Sequence, residues 1–529
     1  MPEPTAATRD PQPLILIRGF GGLDVEDERR VAYQGFNDGT VYPLKRGENY
    51  IYEGMLLRFL KCDYKYFDAT NVIGYYRSPS IAEPKDLPPQ LEKLGADLFV
   101  GGKMVVDPGM AMSLVKQKVD IARTVWVFRY YDLDDRKIKA YGKALVRLID
   151  FIRKLASIDN GTVPKVNIIA HSMGGLLVRE AIQASYPESE RKASDFINKV
   201  VTLGTPHRGI TFQLLKKWLF IESADELKHF SPEFQRDSEE PSSYVNFQKF
   251  FPKERFLTVV GTNYRTYGVR VASTLNRLFG VDGEYGPNYN RSDGLVKQTN
   301  AELPGCPRTF VHKCHGGEDS LVTSREAYEI ATRFFFGNIK AKLSLVKAEV
   351  NRKLDIFGKS EIFFGVSIKP RGVDFDLFHQ SREAENCYGP FADKTLGGEA
   401  TFNWAGPGKL IWEGYLDTSK VKKLDDEDKP NDMVLRLDFY VGERDLLGIG
   451  FSDNVIFSKQ YYVRAIMSPK LKLYLHTNEE FAEDGFAPTK EQLMHGGGEK
   501  WEFDVAGTGF NATLRIELQR LDKQSDDAS

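Results

Sequence analysis

"KVNIIAHSMGGLLVREAI", Lys165 to Ile182, decides how the rest of the chain is read. An apolar run ends at Ala170, a serine follows two residues on, and Gly174 and Gly175 open a helical pattern. A serine at such a junction has two readings. It is a helix N-cap whose oxygen accepts from the first helical turn, or a nucleophile lifted off a sharp strand-to-helix bend. The second reading needs very small side chains two residues before and two after the serine, so that strand and helix pack closely around it. Ala170 and Gly174 occupy those positions, with Gly175 beyond. Ala170 departs from the glycine of G-x-S-x-G but keeps its steric requirement.

A serine hydroxyl is a weak nucleophile and needs a base, which an acid orients. Where the serine sits on an elbow of this kind, acid and base follow it in that order. The chain has 8 histidines, of which His171, His207 and His229 come too early. His379, His476 and His495 fall in a β-rich region. His312 and His315 remain, in "FVHKCHGGEDSLVTSREAYEIATRFFFG", between a last strand and a last helix. His315 is followed by two glycines, which suits a loop side chain reaching across a site; His312 is the alternative base. The acid is expected in the loop after "FLTVVG". There "YNRSDGLVKQ" supplies Asp293, whose other reading is a surface Asp-Gly turn.

Hydrolysis at a carbonyl also requires two backbone N–H groups aimed at the developing oxyanion. Met173, directly after the serine, offers one. Phe20, between Gly19 and Gly21 in "LILIRGFGG", offers the other. The same loop lacks both G-x-G-x-x-G and G-x-x-x-x-G-K-[ST] spacing, so it is not read as a nucleotide cradle.

Outward from this core, short β-branched runs alternate with helical patterns up to about residue 337. Strands are expected at 14–17, 71–75, 124–129, 166–170, 199–203 and 256–261, and helices at 52–61, 110–122, 138–155, 173–185 and 324–335. Such alternation predicts a mostly parallel sheet covered on both faces. Beyond it, "EIFFGVSIKP", "MVLRLDFYVGE", "KLKLYLHT", "KWEFDVAG" and "ATLRIELQRL" have period-two patterning broken by Gly, Pro, Asp and Asn clusters. That texture predicts an antiparallel β-sandwich. The expected domains are an α/β unit over 1–337 and a β-sandwich accessory domain over 338–529, ending in a disordered tail. Within the first, 210–250 carries Phe212, Leu215, Trp218 and Leu219 at helical spacing, which suits a lid or a helix packed on the core.

The chain of 529 residues is 41% apolar and 28% charged, with a formal net charge of -2. That balance gives no general electrostatic reason to bind nucleic acid. No segment approaches the ~20 uninterrupted apolar residues of a membrane helix, and the N-terminus lacks a signal-peptide pattern. Its 4 cysteines do not make a disulfide framework, so reduced thiols and a cytoplasmic setting are expected. No ligand spacing for a metal is present, and no metal or cofactor is expected.

Four features also resemble the lipase-type α/β-hydrolases of the small bacterial lipase and GPI-inositol-deacylase-like group, over about residues 12–337. "AHSMGG" is similar to their elbow, "RGFGG" to their oxyanion loop, "TLGTPHRG" to their segment after the next strand, and "SDGLV" to their acid segment. Arg18 stands where His is more usual. The resemblance implies an α/β-hydrolase fold and carboxyl-ester hydrolysis through an acyl-enzyme. By position it implies Ser172 as nucleophile, Asp293 as acid, His315 as base, and backbone donors at Phe20 and Met173. The expected function is therefore a serine esterase or lipase. The alternatives are an acyltransferase or thioesterase on the same triad, or a non-catalytic lipid- or partner-binding scaffold. The expected partner is a small-molecule or lipid ester, with peripheral contact to a lipid surface open to it.

Overall fold

The computed structural model describes residues 9–19, 52–61, 64–72, 107–128, 130, 137–158, 163–209, 229–230, 244, 246–266, 291–317, 319–350, 360–392, 410–420, 432–445, 454–467, 470–478, 480, 487 and 489–521. Phe20, most of the lid region (210–228, 231–243 and 245) and the tail at 522–529 lie outside the described residues. The chain divides into two compact units. One comprises Met1–Gly280, Ser292–Pro307 and Lys313–Ala331; the other comprises Val281–Arg291, Arg308–His312 and Thr332–Ser529.

The α/β part is built on strands β1 (Leu14–Ile17), β2 (Phe67–Asp68), β3 (Thr124–Val127), β4 (Val166–His171), β5 (Ile197–Leu203), β6 (Phe256–Gly261) and β7 (Arg308–Val311). Their order in the sheet is β2-β3-β1-β4-β5-β6-β7. The pairings β2 to β3, β3 to β1, β1 to β4, β4 to β5 and β5 to β6 are all parallel. β1, β3, β4, β5 and β6 are buried along their whole length. That is why they read as mostly apolar runs rather than alternating ones.

Helices α1 (Glu53–Lys61), α2 (Pro108–Lys116), α3 (Ile138–Ser157) and α4 (Met173–Glu180) belong to the same unit. α3 buries Leu145, Leu148, Ile149 and Ile152, a stripe at helical spacing that faces the core. Phe151 of α3 meets Trp126 of β3 edge-on, with ring centres 6.1 Å apart. The pattern over 173–185 is not one uniform helix: α4 passes at Ala181 into a π-helical turn that runs to Ser185. A further helix, α5 (Arg325–Phe336), ends before Gly337, where a Cβ would lie 2.7 Å from the carbonyl oxygen of Leu416.

The expected strand at 71–75 is not formed at its described residues. Thr70–Val72 is a 3₁₀ turn instead, and the strand lies earlier, at Phe67–Asp68. The Asp68 carboxylate accepts both the Thr70 N–H at 2.8 Å and the Thr70 hydroxyl at 2.6 Å. This side-chain turn competes with strand pairing and curls the backbone.

The second unit holds strands β8 (Ile339–Val350), β9 (Ser360–Pro370), β10 (Tyr388–Ala392), β11 (Leu410–Leu416), β12 (Asp432–Asp445), β13 (Asn454–Ile466), β14 (Lys472–His476), β15 (His495–Gly497), β16 (Lys500–Ala506) and β17 (Phe510–Arg520). They form two five-stranded antiparallel sheets, ordered β10-β9-β12-β13-β14 and β11-β8-β17-β16-β15. Alternate residues of β8 and β17 are buried, the signature of a sheet with one packed face. Phe510 of β17 meets Phe364 of β9 at 5.9 Å and Phe457 of β13 at 5.4 Å across the sandwich. The Tyr388 hydroxyl on β10 donates to the Ile411 carbonyl on β11 at 2.7 Å, tying the two sheets at one edge.

Candidate active site

Strand order changes direction between β1 and β4. The chain builds β2 and β3 on one side of β1, then crosses to lay β4, β5 and β6 on the other. Crevices for ligands in open α/β sheets form at the carboxyl ends of strands at such a switch point. Ser172 directly follows β4 there.

Its backbone lies at φ 52° and ψ -126°, a conformation that a residue with a Cβ adopts only under constraint, at a cost of about 1–3 kcal/mol. The surroundings impose it. The Ser172 N–H donates to the Leu203 carbonyl at 2.9 Å, and the Gly175 N–H returns to the Ser172 carbonyl at 3.1 Å. A Cβ at Gly174 would lie 2.7 Å from the Arg18 carbonyl oxygen, and one at Gly175 would run into the Thr205 side chain. Only glycines allow α4 to leave β4 this closely. The Ser172 side chain makes no capping hydrogen bond to α4, so the N-cap alternative does not describe it.

Instead, Ser172 Oγ lies 2.9 Å from His315 Nε2. On the other side of the ring, His315 Nδ1 lies 2.8 Å from Asp293 Oδ2. An ionised carboxylate only accepts, so Nδ1 carries the hydrogen and, in a neutral ring, Nε2 presents its lone pair to the serine. The other oxygen, Asp293 Oδ1, accepts the N–H groups of Leu295 at 3.0 Å and Val296 at 2.7 Å. The His315 N–H also donates to the Asp293 carbonyl at 2.8 Å. Asp293 and His315 are 1% and 4% exposed, so the pair is held away from bulk water, where its hydrogen bonds are strongest. The surface-turn reading of Asp293 does not survive this burial.

Two glycines make room for the pair. A Cβ at Gly204, after β5, would lie 2.8 Å from Asp293 Oδ2 and 3.1 Å from His315 Nδ1. A Cβ at Gly261, the end of β6, would lie 2.7 Å from Asp293 Cβ. Sequence reasoning passed over both, although each ends an apolar strand at the edge where the site forms.

The remaining expected residues fall as follows. Met173 is the first residue of α4, a position where the N–H has no intrahelical acceptor. Phe20 lies outside the described residues, but its neighbour Gly19 is against the site: a Cβ there would lie 2.8 Å from Ser172 Cβ. The His312 ring stacks on His379 with centres 5.2 Å apart. Cys306 and Cys314 are free thiols.

Two other histidines are buried nearby. The His207 ring lies 2.9 Å from the Thr202 hydroxyl and packs edge-on against Phe256. Burial, with the Arg179 charge second, holds it well below the usual histidine range. Burial also holds His171 well below that range, with the charge of His315 second. Their native affinity for protons is lower than in the unfolded chain, so the unfolded state takes up more protons once the pH falls below about 6.5. Stability is then full above that pH and is lost below it, at about 1.4 kcal/mol per pH unit for each ring. Urea unfolding at pH 7 and at 5.5 should show this loss. A midpoint that does not change between the two would contradict the neutral assignment.

Among the described residues, no helix is long and apolar enough to cross a membrane. Residues 115–243 match the family described as the PGAP1-like alpha/beta domain. No curated protein matches the sequence. Among solved structures, the chain is similar to phospholipase PlaB from Legionella pneumophila in complex with thio-NAD. The identity is 13% over 66% of this chain and 87% of that one, with a TM-score of 0.24. A second PlaB structure matches at 11% identity over 70% and 86% of the two chains, also with a TM-score of 0.24. Residues 115–243 thus carry a PGAP1-like α/β domain, and the parallel sheet with its serine on the turn after β4 has the architecture of an α/β-hydrolase.

Proposed function

We propose that the protein hydrolyses carboxylic esters, lipid esters among them, through an acyl-enzyme on Ser172. The observation that carries this reading is the continuous run of hydrogen bonds from Asp293 through His315 to a strained, buried-edge Ser172. The PGAP1-like domain supports the same chemistry.

His315 Nε2 takes the Ser172 proton as Oγ attacks the acyl carbonyl. The carbonyl oxygen becomes negative and is held by the N–H groups of Met173 and Phe20. Collapse of the tetrahedral intermediate breaks the bond to the alcohol, which leaves with the proton from His315. Water then attacks the acyl-enzyme, gives its proton to His315, and the carboxylic acid departs as that proton returns to Ser172 Oγ. Asp293 keeps the ring in the required tautomer and stabilises the charged ring between the two transfers. In this reading 1–337 is the catalytic domain and 338–529 an accessory domain.

Hydrolysis of p-nitrophenyl esters by His315→Ala and His312→Ala tests the base. His315→Ala should lose about 10³-fold or more in kcat, and His312→Ala should stay within about threefold of wild type. The reverse pattern would overturn the assignment.

A further inference from the structure

We propose that Tyr52 and His171 are positioning residues: they form a hydrogen-bonded bridge that holds the Gly19 peptide in register with the backbone of His315. The inference rests on the triad reading above and goes beyond it, because neither residue has a place in proton transfer to or from Ser172.

The bridge has three links. The Gly19 N–H donates to the Tyr52 hydroxyl at 2.7 Å. The same hydroxyl lies 2.7 Å from His171 Nδ1. His171 Nε2 lies 2.8 Å from the carbonyl oxygen of His315. The direction of each link follows by elimination. A carbonyl oxygen only accepts, so His171 Nε2 carries the hydrogen and donates. In a neutral ring Nδ1 is then bare, and the Tyr52 O–H must donate to it. No other arrangement of protons satisfies all three links with a neutral ring.

What the bridge joins gives it a role. Gly19 follows β1 and abuts Ser172, and its peptide leads directly into Phe20, the proposed oxyanion donor. Because the Gly19 N–H is committed to Tyr52, it is not itself available to an oxyanion. The other end of the bridge fixes the backbone that bears the base. The partners are 33, 119 and 144 residues apart in sequence, so the bridge reports tertiary placement and not a local turn. Tyr52 and His171 are 6% and 5% exposed. Leu16, Met55, Leu203 and Val322 line the space beside them, so a polar group that lost its partner there would face apolar side chains.

The second consequence is electrostatic. The His171 and His315 ring centres are 4.8 Å apart. The groups facing His171 are Tyr52 before α1, Arg18 after β1, and His315, itself bound to Asp293. A proton on His171 would repel the proton that His315 must accept during the reaction. The Tyr52 hydroxyl opposes this by donating to Nδ1, the one site on the ring where a further proton could bind, and so favours the neutral ring.

Tyr52→Phe tests the proposal in the full-length protein. It keeps the ring and its edge contact with His171, and removes only the hydroxyl. With p-nitrophenyl ester, kcat should fall by about 10- to 100-fold while KM stays within about twofold, as expected for misplaced catalytic groups. The acid limb of the kcat/KM profile should also move to higher pH, because Nδ1 is now open to protons. In Tyr52→Phe/His171→Gln the kcat deficit should persist and that displacement should vanish, since the ring beside His315 can no longer take up a proton. A purely structural role would lower the folded fraction and leave the pH profile of the folded enzyme unmoved. Wild-type kcat in Tyr52→Phe, an unmoved acid limb, or a displacement that survives in the double variant would each overturn the proposal. If Ser172→Ala abolishes activity and Tyr52→Phe does not alter it, this inference fails alone; if Ser172→Ala retains activity, the triad reading fails first.

Discussion

Replacing Ser172 by alanine should reduce ester hydrolysis by about 10⁴-fold or more, leaving only what substrate binding and oxyanion donors achieve without a nucleophile. The fold should persist, because the side chain contributes one hydrogen bond, to His315 Nε2, and makes no cap. Glycine at the same position sharpens the argument. Ala and Gly both remove the hydroxyl, but Ala must still hold φ 52° and ψ -126° with a Cβ, whereas Gly adopts this region without penalty. Ser172→Gly should therefore be more stable than Ser172→Ala by about 1 kcal/mol and equally inactive. Strain kept at a position where glycine would relieve it is expected where the hydroxyl is needed. Urea unfolding of the two variants measures the difference; Ser172→Ala as stable as Ser172→Gly would remove the strain argument.

Asp293→Asn should cost on the order of 10⁴ in kcat with little change in fold. The geometry explains the size of the effect. Oδ1 accepts from the N–H groups of Leu295 and Val296, so an amide in its place must keep its oxygen on that side. Its NH₂ then faces His315 Nδ1 across the 2.8 Å contact and donates to it. Nδ1 becomes an acceptor, the ring proton moves to Nε2, and Nε2 now points a hydrogen at Ser172 Oγ instead of a lone pair. The base is present, correctly placed and in the wrong tautomer. Raising the pH should not restore activity, because losing a proton does not change which ring nitrogen carries the hydrogen that remains. Activity within tenfold of wild type would mean that Asp293 does not set the tautomer.

Much of this site could be read in the sequence, for a reason specific to the fold. In a sheet built strand by strand, the chain order of loops at one edge is fixed, so an elbow at Ser172 limits where the acid and base can come from. β1 and β6 run as expected, because buried parallel strands are bounded apolar runs. Tyr52 and His171 escaped notice because their meaning lies in partners more than 30 residues away. Chain order excludes His171 as the base, and nothing local suggests that it supports one.

The second unit was legible in class and incomplete in detail. β12, β16 and β17 alternate clearly, whereas β9 is buried without a break from Ile362 to Ile368. β13 does not: its burial runs exposed at one end and continuously buried from Tyr461 to Ala465, so no period-two pattern marks it. β8 was missed for another reason. Its outward positions carry Lys340 and Lys342, and its inward ones include Ala341 and Ala348, all weak strand formers. Pairing with β11 makes these lysines useful, since both reach Glu413, Lys340 at 2.9 Å and Lys342 at 3.4 Å. The signal is in the partner strand.

Peptide-level mass spectrometry after treatment with a fluorophosphonate most directly tests the claim that Ser172 is an activated nucleophile. A single phosphonyl adduct should form on Ser172, its formation abolished in His315→Ala and slowed in Asp293→Asn. An adduct on another serine, or labelling at Ser172 that proceeds unchanged without His315, would contradict that claim.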